Sequence, residues 1–152
     1  MPEKATLERA RKDRRSGKSA STQAGEFVRE EMHHIREGKH GARSAKQAVA
    51  IGLSKARRAG VALKTPKKGK ASAKTRRNAA RDAAAGRRRP SRRPSAKRSR
   101  ATTRALRREG RSAASHRALS RQAHSAAKRR TRADRSTTAR KAARTRAAHR
   151  SR

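Results

Sequence analysis

The apolar side chains larger than alanine are concentrated in one stretch. Phe27, Val28, Met32, Ile35, Val49, Ile51, Leu53, Val61 and Leu63 fall there, and only Leu106 and Leu119 follow. Inside that stretch the spacing is helical. Val28, Met32 and Ile35 recur at i, i+4 and i+7 with Phe27 beside them, which predicts a helix over 23–37 carrying one apolar stripe. Glu30, Glu31 and Glu37 fall mostly off the stripe, and Gly38 closes the helix. Ser44 and Gln47 then form an S-x-x-Q capping box, pairing side-chain oxygens with free N-terminal amides. Behind it Ala45, Ala48, Val49, Gly52, Leu53 and Ala56 make a second apolar face, widened by Ile51. Gly60 is a left-handed stop with Val61 in the position of a Schellman contact, so this helix spans 44–59.

Two such helices joined by a short glycine-containing turn form an antiparallel helical hairpin. Residues 2–16 read as a short polar helix. Pro2 suits its first turn, Glu3 and Glu8 favour its N-terminal end, and the basic run 11–15 favours the other end. Gly17 ends it, and Leu7 is its one residue fit for burial. The expected fold is small and all-α, with a core of Phe27, Val28, Met32, Ile35, Val49, Leu53 and Ala56. Nine large apolar side chains are few for about forty ordered residues, so the head is expected to self-associate, as a homodimer through the hairpin, or to need a partner.

After Leu63 the character of the chain changes. Four segments are expected: an N-terminal polar helix and linker (1–22), the hairpin head (23–63), a basic Pro/Gly/Ser-containing linker (64–98) and an Arg/Ala-rich tail (99–152). Pro90 and Pro94 should keep 87–98 extended. Within the tail, 99–109, 112–130 and 137–150 have good helix formers behind Ser or Thr. Their like charges repel in free solution, so the tail should be largely disordered, with helices that form mainly on binding a polyanion.

Charge sharpens the division. Residues 38–152 hold 39 Lys/Arg against Asp82, Glu109 and Asp134, a balance of +36, whereas residues 1–37 hold 9 Lys/Arg against 7 Asp/Glu, a balance of +2. GC-rich coding accounts for arginine over lysine but not for the near absence of acids. Such a footprint is that of a nucleic-acid-binding chain. The expected phosphate contacts are Arg87, Arg88, Arg89, Arg92, Arg93, Arg107, Arg108, Lys128, Arg129, Arg130, Arg140, Lys141 and Arg144. Phosphate contacts position a protein without reading sequence. With no Trp or Tyr and Phe27 claimed by the stripe, base stacking has no platform, so duplex DNA is favoured over RNA.

Other chemistries find little support. The chain has no cysteine, which excludes disulfides and thiolate zinc sites. Glu30-x-x-His33 has the spacing of carboxylate-bridged metal bundles, but that chemistry needs two such motifs, so His33, His34 and His40 read as exposed surface histidines and no metal or other cofactor is expected. No nucleophile elbow and no glycine-rich phosphate loop occurs, and a coreless tail offers no dry pocket, so no enzyme is expected. The apolar runs are too short to span a membrane, and the N-terminus lacks an apolar leader, so no membrane partner and a cytoplasmic, nucleoid-associated location are expected.

The stretch from Phe27 to Lys64, "FVREEMHHIREGKHGARSAKQAVAIGLSKARRAGVALK", resembles a small bacterial domain family with no established biochemical function. The family's core is a "vMhe.keGk" segment followed by "KQAiAIaLSeARkaG", matched here by Met32-His33, Glu37-Gly38-Lys39 and 46–60. Two departures stand out: Gly52 where Ala is usual, expected to loosen the second helix, and Lys55 where Glu is common, expected to make its surface more basic. The tail is similar in composition to the C-terminal tails of bacterial histone-like proteins. The reading is a non-sequence-specific nucleic-acid-binding protein. An RNA-binding, ribosome-associated accessory protein is one alternative, and an adaptor whose head holds a protein partner is the other.

Overall fold

The computed structural model describes residues 2–88 and 95–150, and among them the protein is entirely helical. Its elements are α1 (Lys4–Arg15), α2 (Ala20–Arg36), α3 (Ala45–Arg58), α4 (Ala73–Arg87), α5 (Ala96–Arg107), a 3-10 turn (Ser112–Ala114), α6 (His116–Lys128) and α7 (Arg132–Arg150).

The first three helices end alike. After each, a glycine at positive φ (Gly17, Gly38, Gly60) lets its own amide and the next one turn back onto helix carbonyls. At Gly60 its own N–H reaches Arg57 O at 3.0 Å and the Val61 N–H reaches Ala56 O at 3.1 Å, a full Schellman motif. The starts are set by serines. Ser19 Oγ accepts from the Thr22 amide at 3.3 Å, so α2 begins earlier than its apolar stripe does. Ser44 Oγ accepts from the Gln47 amide at 3.2 Å, while Gln47 Oε1 accepts from the Arg43 amide, one residue ahead of the cap.

Helix α3 is the centre of the molecule, packing on α2, α4, α6 and the 3-10 turn, while α1 lies on α2. Two apolar clusters result. Phe27 sits with Ala10, Ala24 and Ala56, flanked by Leu7, Leu53, Val61 and Leu63. Met32 and Ile35 sit with Ala42, Ala48, Ala113 and Ala114, flanked by Val28, Val49 and Leu119. Of the expected core, Phe27, Met32, Ile35 and Ala56 are buried and Val28, Val49 and Leu53 are half-buried.

Much of this core is alanine, and that is where the structure departs from the apolar pattern. Residues 106–114 dock on the turn after α2. The Gly41 N–H donates to Leu106 O at 2.9 Å, the Ala42 N–H to Gly110 O at 3.1 Å, and Arg36 Nε to Ala114 O at 2.9 Å. A Cβ on Gly41 would fall on the Glu109 carbonyl, so the approach needs that glycine. The core therefore continues past residue 63 and into the segment read as tail.

The segment read as a linker, 64–98, contains α4. Ser72 caps it by accepting from the Thr75 amide at 3.1 Å. Its inward face is Ala79, Asp82, Ala83 and Gly86, an i, i+3, i+4, i+7 stripe of small residues plus one acid. There Asp82 accepts from Ser54 Oγ at 2.6 Å and Arg58 Nε at 2.8 Å. With no large apolar residue, that stripe carried no signal for a hydrophobic-periodicity reading.

Candidate nucleic-acid interface

The cations expected to meet phosphate gather at helix ends because the local sequence stops there. Arg87 and Arg88 end α4, Arg107 and Arg108 end α5, and Lys128, Arg129 and Arg130 end α6. Positive charge in a last turn also complements the helix dipole, which favours these ends electrostatically before any ligand arrives. Arg140 and Arg144 on α7 are i, i+4 neighbours, and Lys141 lies within the same turn. Arg89, Arg92 and Arg93 lie outside the described residues, as do Pro90 and Pro94. All the others are exposed, and none lies in an ion pair with a carboxylate of the described residues.

Neither α5 nor α7 packs on another helix among the described residues. The segments expected to be helical only when bound are helical here, at Ala96–Arg107, His116–Lys128 and Arg132–Arg150. Over its 19 residues α7 carries seven Lys/Arg and one Asp, 7 − 1 = +6, along roughly 28 Å at 1.5 Å per residue. Lys70 tethers its first turn through a 2.8 Å bond to Asp134. That lysine, and then the amide and hydroxyl of Thr131, hold the Asp134 carboxyl down at about 2.

The tether places the 67–72 turn across from α6 and α7. A broad cleft results, lined by Lys46, Lys67, Lys70, Arg129, Arg130 and Lys141, with Thr75, Thr137 and Thr138 hydroxyls between them. Cations on two walls can grip a strand of phosphates, while the Thr137 and Thr138 hydroxyls are spent on the helix carbonyls of Ala133 and Asp134. Lys46, Lys67 and Lys70 are not among the expected phosphate contacts because Lys46 lies in α3 and the other two in a segment that reads as linker.

Between α2 and α3 lies a polar cluster that the sequence misplaced. Glu30 and Glu31, assigned off the apolar stripe, are 3 % and 0 % exposed. Lys55, assigned to a basic surface, is their counter-ion, with Nζ 3.2 Å from Glu30 Oε1 and 2.7 Å from Glu31 Oε2. Burial alone would lower the Lys55 ammonium, but the two carboxylates outweigh it and hold it above its usual value. Burial likewise works to raise the Glu30 carboxyl. The Glu3 amide at 3.1 Å, Thr6 and Lys55 together outweigh that and leave it low.

His34 and His40, assigned to the surface, are largely covered, with side chains 14 % and 15 % exposed; His33 is exposed. One ligand atom each from Glu31, His34 and His40 lies within 4.8 Å of the others. The metal-type spacing is thus completed through Glu31-x-x-His34, not Glu30-x-x-His33, because Gly38 turns the chain so that His40 returns over α2. Phe27, the chain's one aromatic residue of the Phe/Tyr/Trp type, is 1 % exposed and gives bases nothing to stack on.

Among the described residues no helix is long and apolar enough to cross a membrane. No protein-family model, no curated protein and no solved structure matches the chain.

Proposed function

We propose that this protein binds nucleic acid without sequence preference, through phosphate contacts from α4–α7 and the cleft beneath α7, with duplex DNA favoured. The observation that carries the reading is the exposure of Arg87, Arg88, Arg107, Arg108, Lys128, Arg130, Arg140, Lys141 and Arg144, free of carboxylate partners among the described residues, in a chain of net charge +38. Each cation that neutralises a phosphate releases a counterion, so affinity falls steeply with salt. Helix formation in α5 and α7 is supported by the same contacts, since phosphate removes the like-charge repulsion along them. The head acts as the platform and as the surface through which copies associate, which would let one assembly bridge two duplexes.

The test is a titration of the full chain into labelled duplex DNA and structured RNA across a salt series. The full chain is needed because a cut at residue 63 removes Ala113, Ala114 and Leu119 from the core. With about ten charges engaged, log K should fall against log salt with a slope of roughly −9. Replacing Arg140, Lys141 and Arg144 by alanine should reduce the slope by roughly 0.9 each, about 2.7 in all, and weaken every sequence alike. A slope near zero, an unchanged triple variant, or strong preference for one sequence would overturn the proposal. Tighter binding to structured RNA at equal salt would move the ligand from DNA to RNA.

A further inference from the structure

We propose that Glu31, His34 and His40 form a binding site for a divalent cation of the zinc class, a site independent of the nucleic-acid surface. Glu31 and His34 are i, i+3 on α2 and share one face of it. The Schellman turn at Gly38 brings His40 onto the same face, with the two imidazoles edge to face and their centroids 6.0 Å apart. One ligand atom from each of the three residues lies within 4.8 Å of the other two. In a tetrahedral site with bonds of about 2.1 Å, ligand atoms are roughly 3.4 Å apart, a gap that small side-chain rotations close.

A second observation points to a cation here. Glu31 is 0 % exposed, and neither of its carboxylate oxygens receives a well-aligned hydrogen bond. Lys55 lies against Oε2 at 2.7 Å, which leaves Oε1 facing His40 Nε2 at 3.3 Å. On the other side of that ring, Nδ1 is 3.2 Å from the Gly41 carbonyl. The Gly41 carbonyl engages Nδ1, so Nε2 is the ring nitrogen that faces Oε1. An ion seated between Oε1 and Nε2 would take both atoms as ligands in a buried space.

The outer contacts are those of a metal site. His34 Nε2 is 2.7 Å from Glu3 Oε1, a carboxylate–imidazole pair of the kind that orients a histidine ligand, as the Gly41 carbonyl does for His40. A small cavity lined by Glu3, Glu30, His34 and Glu37, with Arg9 and Lys39 at its edge, lies beside His34. Around it Glu3, Glu30, Glu31 and Glu37 stand against Arg9, Lys39 and Lys55, so the acids are in slight excess here in a strongly basic chain. Two imidazoles and one carboxylate suit zinc over magnesium or calcium, and they leave a fourth position to water. A bound ion would clamp the N-terminus, the end of α2 and the turn into α3 as one unit.

The experiment titrates Zn2+ and Co2+ into untagged full-length protein, reading Co2+ ligand-field absorption, heat of binding and the thermal midpoint. One ion per chain, tetrahedral Co2+ bands and a raised midpoint are expected. His34→Ala and His40→Ala should each weaken binding by about tenfold or more, and Glu3→Gln by about 10–100-fold through loss of the outer contact. His33→Ala, His116→Ala and His124→Ala should change nothing. Glu3 is exposed, so its variant remains informative if the buried positions do not tolerate change. Absence of saturable binding, insensitivity to Glu3→Gln and His40→Ala, or dependence on the exposed histidines would overturn the proposal. The partner of Glu31 would then be a proton on His40.

Discussion

Gly52 lies where α3 crosses α2, and a Cβ built there would stand 2.7 Å from Val28 Cα, 2.9 Å from Val28 Cγ2 and 3.0 Å from Val28 N. Gly25, on the exposed side of α2, has nothing within 4 Å of the same construction. Both glycines sit inside helices with ordinary helical φ, so replacing either by alanine carries the same helix-propensity gain of about 1 kcal/mol. Carbon contacts are comfortable at about 3.5 Å, so at Gly52 the helices must part by roughly 0.8 Å or the chain must bend. Two of the three atoms in the way are backbone, which cannot swing aside. Overpacking of this kind costs about 1–3 kcal/mol.

The expected outcome is that Gly25→Ala stabilises the full chain by about 1 kcal/mol. Gly52→Ala should end about 1–3 kcal/mol below Gly25→Ala, a net loss or at best no gain. Urea unfolding followed by circular dichroism at 222 nm, with slopes compared between variants, reads both. If Gly52→Ala stabilises as much as Gly25→Ala, the two helices do not approach at that point and the packing argument fails. The comparison also decides between two accounts of the glycine. Helical preference treats it as a loosening of α3, whereas the geometry makes it the reason α3 fits against α2.

Lys55→Met removes the counter-ion of two buried carboxylates and should destabilise the fold by about 3–5 kcal/mol in the same assay, since an uncompensated buried charge costs more than the pair contributes. A loss below about 1 kcal/mol would place Glu30 and Glu31 in water. Stability should also depend on pH at both extremes. Glu30 is held below its ordinary 4.5 in the folded state, so its contribution is present above that value and is lost as pH falls through the folded one. Lys55 is held above its ordinary 10.5, so its contribution is present below that value and is lost as pH rises through the folded one. Urea midpoints across pH test both, with Lys55→Met expected to abolish the alkaline arm.

Helix identity was legible because it is a local matter. Ser44, Gln47 and Gly60 fix the ends of α3 through bonds to backbone groups within four residues of them, and such signals survive in any surroundings. The stripe of Phe27, Met32 and Ile35 was legible because large apolar side chains at helical spacing have few places to go. By contrast α4 was invisible, since alanine and glycine show no periodicity until the surface they meet is known. The basic runs could be named from charge, but the cleft could not. Lys46, Lys67, Lys70 and Lys141 share it only because α7 is tied back to the 67–72 turn through Asp134.

The sequence by itself determined three helices within its first sixty residues, both ends of α3 and the glycine stops of α1 and α2, and a net charge of +38. Those properties depend on neighbours a few residues away or on composition. Only the tertiary structure decided that Ala113 and Ala114 belong to the core, that Gly52 is a contact, and that Glu31, His34, His40 and Lys55 meet. Small side chains and buried ionic groups carry no one-dimensional signature. A methyl group becomes core, and a carboxylate becomes a ligand, only when other segments of the chain exclude water around it.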